Sequence, residues 1–153
     1  MSSGRLTRLA VRSLDALAKL QRRPPQQEPH EPASAVTGRR GEEEAYFHLR
    51  RLGYVMVARN FRSPRRHGEI DLIGWDADTL CFIEVKTRST REVKPAEAAV
   101  DRHQQGDLIA MARDYLRRVA GRPPCRFDIV SVYFDRPGAP PDITLFKNAF
   151  PMI

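Results

Sequence analysis

Residues 80–87 read Leu-Cys-Phe-Ile-Glu-Val-Lys-Thr, and this run constrains the fold more than any other part of the chain. A β-strand turns successive side chains to opposite faces, so Cys81, Ile83 and Val85 share one face and Phe82, Glu84 and Lys86 the other. A strand this apolar belongs in the middle of a sheet. Glu84 and Lys86 break the pattern near its end. Burying an acid and an ammonium there costs free energy unless they pair or reach water.

The neighbouring segments supply the rest of such a sheet. Residues 54–61 and 69–75 have strand character, and the second leads into 80–87 through the short polar connection Asp76-Ala77-Asp78-Thr79. A helix is expected over 39–52, with Ala45, Leu49 and Leu52 on one face, acids early and arginines late to suit the helix dipole, and Gly53 as its stop. A second helix is expected at about 96–119, opened by Pro95, with Ala99, Leu108, Met111, Ala112, Tyr115, Leu116 and Val119 as its apolar stripe. Strands follow at 126–134 and 142–147. Three strands with short connections can form an antiparallel meander, and the helix after the third provides the crossover a parallel fourth needs. The expectation is an α/β fold in three layers, a mixed sheet with a helix on each face.

The amino-terminal part differs in kind. Residues 1–23 interleave Leu6, Leu9, Leu14, Leu17 and Leu20 with Arg5, Arg8, Arg12, Lys19, Arg22 and Arg23, the pattern of a basic amphipathic helix. Such a segment suits a membrane surface, a nucleic-acid arm or a transit peptide, or is a poorly ordered extension. Residues 24–37 hold four prolines and read as a linker. The globular domain is expected over 38–150.

Composition narrows the function classes. The 153 residues suit one domain, and 41% hydrophobic content is enough to build a core. Cys81 and Cys125 are too few for a disulfide scaffold or a zinc site and suggest a reduced compartment, so the cytoplasm is expected. No run approaches 18 apolar residues, so no transmembrane segment is expected. The net charge of +7 favours a polyanionic partner, nucleic acid or an anionic membrane surface. Of 26 basic residues only Lys19, Lys86, Lys94 and Lys147 are lysines, which makes Lys86 an exception worth explaining.

Asp71 interrupts the strand before the turn, between Ile70 and Leu72. If the hairpin places residue 73 opposite 82, Asp71 falls opposite Glu84 with Cβ atoms about 4.5–5.5 Å apart. Two carboxylates that close repel, and a divalent cation between them relieves the repulsion. Hard oxygen ligands with room for water and phosphate oxygens describe a Mg²⁺ or Mn²⁺ site, and Lys86 beside it can stabilise developing negative charge. The arrangement suits hydrolysis of a phosphodiester. A buried Asp–Lys–Glu cluster that only orders the strands satisfies the same spacing.

Asp71 followed by Glu84-Val85-Lys86 resembles the D…ExK signature of the restriction-endonuclease-like nuclease superfamily. GRRGEEEA (38–45), GY (53–54), RNFR (59–62), GEIDLI (68–73), FIEVKTR (82–88), PAEAAV (95–100) and RFDIV (126–130) resemble, in the same order, the YraN family of small bacterial proteins. That family is similar to archaeal Holliday-junction resolvases, and the resemblance covers about 38–148. It implies an α-β-β-β-α-β core and a metal-dependent nuclease site. Asp71 and Glu84 would be the metal carboxylates, Lys86 the catalytic lysine and Glu42 the completing helix glutamate, with Glu43 as alternative. Glu69 could be a further acid near the metal or a solvated turn residue. Relatives usually carry a lysine in the second helix where this chain has Gln104, which keeps a hydrogen-bonding tip without the charge; Arg102 or His103 could substitute. Arg62, Arg65, Arg66 and Arg88, with Arg59 and Arg91, are candidates for phosphate contacts. His67 could be a general base, whereas Tyr54 and Trp75 read as packing residues. The implied function is a Mg²⁺- or Mn²⁺-dependent endonuclease on DNA, branched or single-stranded, with a homodimer as the form of many resolvase-like relatives. A nucleic-acid-binding protein with a silent site is the alternative, and a membrane-surface or scaffold protein a third class.

Overall fold

The computed structural model describes residues 32–89 and 100–152. The expectations for 1–23, for most of 24–37, for Pro95–Ala99 and for Arg91 lie outside these residues. Chain order is α1 (Ala33–Arg51), β1 (Val55–Phe61), β2 (Ile70–Asp76), β3 (Thr79–Arg88), α2 (Arg102–Leu116), β4 (Cys125–Tyr133) and β5 (Asp142–Phe150). The strands lie side by side in the order β1-β2-β3-β4-β5, so β3 is central. The β1–β2, β2–β3 and β4–β5 pairs are antiparallel and β3–β4 is parallel. This is the mixed α/β sheet the meander and crossover require.

The alternation in β3 divides the core as expected. Leu80 and Phe82 pack with Ile73, Phe127, Ile129 and Phe150 against Leu108, Met111 and Ala112 of α2. Cys81, Ile83 and Val85 pack on the other face with Leu72, Val130 and Val132 against Ala45 and Leu49 of α1. Helices thus cover both faces and make three layers. In the hairpin Ile73 stands opposite Phe82, and Asp76 pairs with Thr79 across a two-residue turn. Ala77 carries its left-handed backbone at φ 54°.

Several boundaries move. α1 begins at Ala33, not near Gly38, so residues 33–37 form its first turns rather than linker. Its first turn holds no acid, which removes the dipole as a reason for Glu42, Glu43 and Glu44; the basic last turn, His48, Arg50 and Arg51, remains. Leu52 lies beyond the helix end and is 53% exposed, because Gly53 at φ 94° turns the chain away. α2 starts at Arg102, where Asp101 caps it by accepting the Gln104 amide N–H at 2.9 Å. It stops at Leu116, so Val119 packs on the core from the following turn. β5 runs on to Phe150, past the expected end at 147.

Gly41 sets how α1 sits on the sheet. A Cβ there would overlap the Thr87 side chain, so only glycine lets the helix lie this close to β3. The following residue, Glu42, is thereby held near the end of β3 where Glu84 and Lys86 stand.

Candidate functional site

The backbone pairing of β2 with β3 runs from Asp76 and Thr79 to Leu72 and Ile83, and a side chain continues it. Asp71 Oδ2 accepts the Val85 amide N–H at 2.7 Å. That bond fixes the carboxylate beside Glu84, on the face covered by α2. Lys86 Nζ lies 2.9 Å from Glu84 Oε1, with both side chains largely buried. Gln104 joins them from α2: its Nε2 donates to Glu84 Oε1 at 2.7 Å and its Oε1 accepts from Lys86 Nζ at 3.2 Å.

Asp71, Glu84 and Gln104 line a cleft of about 310 Å³ together with His67, Gly68, Glu69, Asp107, Leu108 and Met111. Burial and then the charge of Glu84, with smaller contributions from Glu42 and Glu69, push the Asp71 carboxyl up to about 8 against the opposing pull of the Val85 N–H. Burial and the neighbouring acids therefore disfavour a second negative charge on Asp71 beside Glu84. Among the described residues, no three His, Cys, Asp or Glu side chains converge closely enough to hold an ion as they stand. The donor chemistry nevertheless suits a hard divalent cation: carboxylate oxygens of Asp71 and Glu84 at one cleft, with like charge crowding Asp71.

The remaining sequence candidates separate. Glu42 is half-buried and acts on Asp71 through its charge, and Asn60 Nδ2 lies 3.5 Å from its Oε2; Glu43 is exposed. Arg62 turns onto Glu69 at 2.8 Å. Arg65 and Arg66, in the middle of the β1–β2 loop, stand near Asp114. Arg88 Nη1 donates to the Thr87 carbonyl, while its buried Nε has no partner among the described residues. His103, a possible substitute for Gln104, is exposed and faces Asp107 at 3.3 Å. Tyr54 and Trp75 pack as expected.

Two features escaped the sequence reading. Asp107 lines the cleft one helical turn after Gln104, a spacing visible in DRHQQGDL. The second is a fully buried carboxylate, Asp128 in the RFDIV segment. It accepts from Arg126 Nε at 2.8 Å, Tyr54 Oη at 3.2 Å and the Asn148 amide at 2.9 Å. Arg126 also reaches Asp76 at 2.6 Å. Asp128 and its charge, after burial, raise the Cys81 thiol to about 12, which leaves it an inert core residue.

Fold and cleft together define a class: a three-layer α/β protein with carboxylates and a lysine gathered where two strands of a mixed sheet part. Within that class, the chain belongs to the family described as "Uncharacterised protein family UPF0102", whose model matches residues 41–132. It is 56% identical to a UPF0102 protein of Koribacter versatilis over 94% of both chains. A UPF0102 protein of Solibacter usitatus is 46% identical over 74% of this chain and 84% of its own. One of Methylibium petroleiphilum is 47% identical over 63% and 84%. The first of these alignments extends into the amino-terminal 37 residues, which the sequence resemblance left out. No helix among the described residues is long and apolar enough to cross a membrane.

Proposed function

We propose that the protein is a Mg²⁺- or Mn²⁺-dependent nuclease acting on DNA, with Asp71, Glu84, Lys86 and Glu42 as its chemical groups. The observation that carries this reading is the meeting of Asp71 and Glu84 at one cleft with Lys86 Nζ 2.9 Å from Glu84. Asp71 and Glu84 would hold the ion, which when bound would offset charge developing on a phosphodiester. Asp71 is oriented by the Val85 amide, so its geometry is set by the strand rather than by a flexible side chain. Lys86 presents an ammonium to the attacked phosphate and can hold or release a proton there. Glu42 adds negative charge from α1.

Wild-type protein is expected to cleave branched or single-stranded DNA with Mg²⁺ or Mn²⁺ and to lose at least about 10²-fold in rate as Glu84→Ala or Lys86→Ala. Equal cleavage by all three proteins would reject the reading. One observation favours a second: Gln104 occupies both Glu84 and Lys86. A protein held in that state binds nucleic acid in a salt-sensitive manner without turnover, and no cleavage across a substrate panel would support it. A cytoplasmic location and a homodimer remain part of the proposed reading.

A further inference from the structure

A second cleft, of about 360 Å³, lies along the same helix and is lined by Ser63, Pro64, Arg65, Asp114, Arg117 and Arg118. Both clefts have the same two walls. One is the loop between β1 and β2, which gives Ser63–Arg65 to the second cleft and His67–Glu69 to the first. The other is α2 and its end. Gln104, Leu108 and Met111 face the first cleft, and Asp114 and Arg118 continue the same stripe at three- and four-residue spacing.

The second cleft is basic. Three guanidinium groups line it against one carboxylate, and Asp114 is already engaged by Ser63 Oγ at 2.6 Å and Arg117 Nη1 at 2.8 Å. Arg118 lies over the Phe61 ring at 5.5 Å, which restrains one cation on an aromatic face. Arg65, Arg117 and Arg118 are exposed, and planar guanidinium groups suit phosphate oxygens. From Gln104 to Asp114 the helix rises about 15 Å at 1.5 Å per residue. That equals four to five base pairs at about 3.4 Å each.

We propose that this cleft takes a backbone phosphate of the same nucleic acid that enters the first cleft, four to five base pairs from the carboxylates by that rough spacing. The inference rests on the nucleic-acid part of the proposed function, and not on turnover. A lipid headgroup offers the same phosphate chemistry. Among the described residues, however, the large exposed apolar side chains are Val36, Phe47, Leu52, Val55 and Val57, none of which lines this cleft. A membrane surface would need apolar contacts beside the arginines.

The test measures binding of fluorescently labelled duplex and branched DNA in EDTA across a salt series, with folding checked by circular dichroism. Arg65→Ala/Arg118→Ala removes a cation from each wall without touching the Ser63–Asp114 bond. Its slope of log K against log salt is expected to fall by about 0.9, the change for one lost phosphate contact. Arg65→Glu, on the exposed loop, is expected to weaken binding further than Arg65→Ala, whereas Arg136→Ala, at an exposed arginine between β4 and β5 that lines neither cleft, keeps the wild-type slope. A wild-type slope in the double variant overturns the inference, as does arginine-dependent binding to phosphatidylserine vesicles without binding to DNA. A reduced slope in a protein that never cleaves DNA supports the cleft and rejects the nuclease. An unchanged slope beside Glu84-dependent cleavage does the reverse.

Discussion

Gln104 Nε2 stands 2.7 Å from Glu84 Oε1, closer than the Lys86 ammonium at 2.9 Å, so one carboxylate oxygen takes both donors. A neutral amide thereby supplies one of the hydrogen bonds that stabilise a nearly buried acid, without offsetting its charge. Gln104→Ala is expected to lower unfolding free energy by roughly 1.5 kcal/mol in a urea titration, the worth of a hydrogen bond to a charged group. Gln104→Glu should lower it further, since a third acid then faces Glu84 and Asp71, and Mn²⁺ should recover the extra loss. Insensitivity of Gln104→Glu to Mn²⁺ would count against a cation at this cleft.

Gly41 is where α1 meets β3. Gly41→Ala places a methyl group into the Thr87 side chain and is expected to cost about 1–3 kcal/mol, the range for overpacking. Thr87→Ala in the same chain should return part of that loss. Chemical denaturation of the two single variants and the double measures the coupling; simple additivity would contradict the contact.

The Ser63 hydroxyl holds the Asp114 carboxyl below its usual range; burial, the next largest effect, opposes it, and the charges of Arg117, Arg66 and Arg65 add to the lowering. A depressed folded-state value makes the native state bind fewer protons than the unfolded state, so this stabilisation is present above about pH 4 and is lost as pH falls through the folded value. Ser63→Ala should therefore lower the denaturation midpoint at pH 7, and its gap from wild type should close in acid. A gap independent of pH would show that Ser63 acts through packing alone.

Asp128 lies wholly inside the protein with Arg126 and Tyr54 directed at it. Asp128→Ala leaves a largely buried guanidinium with Asp76 as its remaining acid and is expected to cost about 3–5 kcal/mol. Asp128→Asn, which can still accept a hydrogen bond, should cost less. Thermal unfolding of the two variants separates charge from hydrogen bonding, and equal losses would mean that only the charge matters.

The central sheet and the heart of the cleft are legible in the sequence because they depend on period two and one short turn. Once Ile73 faces Phe82, Asp71 must come near Glu84. The start of α1 is not legible, because Pro-rich composition runs up to Ala33 and residues 33–36 are exposed, so no buried apolar stripe marks the first turn; the buried positions begin at Gly41. Nor are the long-range polar contacts: Ser63 with Asp114 and Tyr54 with Asp128 join segments that sequence spacing does not relate. The arginines show the same limit. Arg62, Arg65 and Arg66 are neighbours in sequence, yet Arg62 serves Glu69 while Arg65 and Arg66 stand by Asp114.

The parallel pairing of β3 with β4 also has a consequence for the nascent chain. β4 is synthesised after α2, so the meander β1–β2–β3 is complete while the outer edge of β3 is still bare. An uncovered apolar strand is a template for joining another chain, and charged side chains on such a strand discourage that union. Until its neighbour arrives, Glu84 and Lys86 are charges on that strand and are expected to disfavour such joining. Replacing both with valine is expected to raise the insoluble fraction during synthesis, measured by sedimentation of freshly translated protein, even where the finished fold tolerates the change.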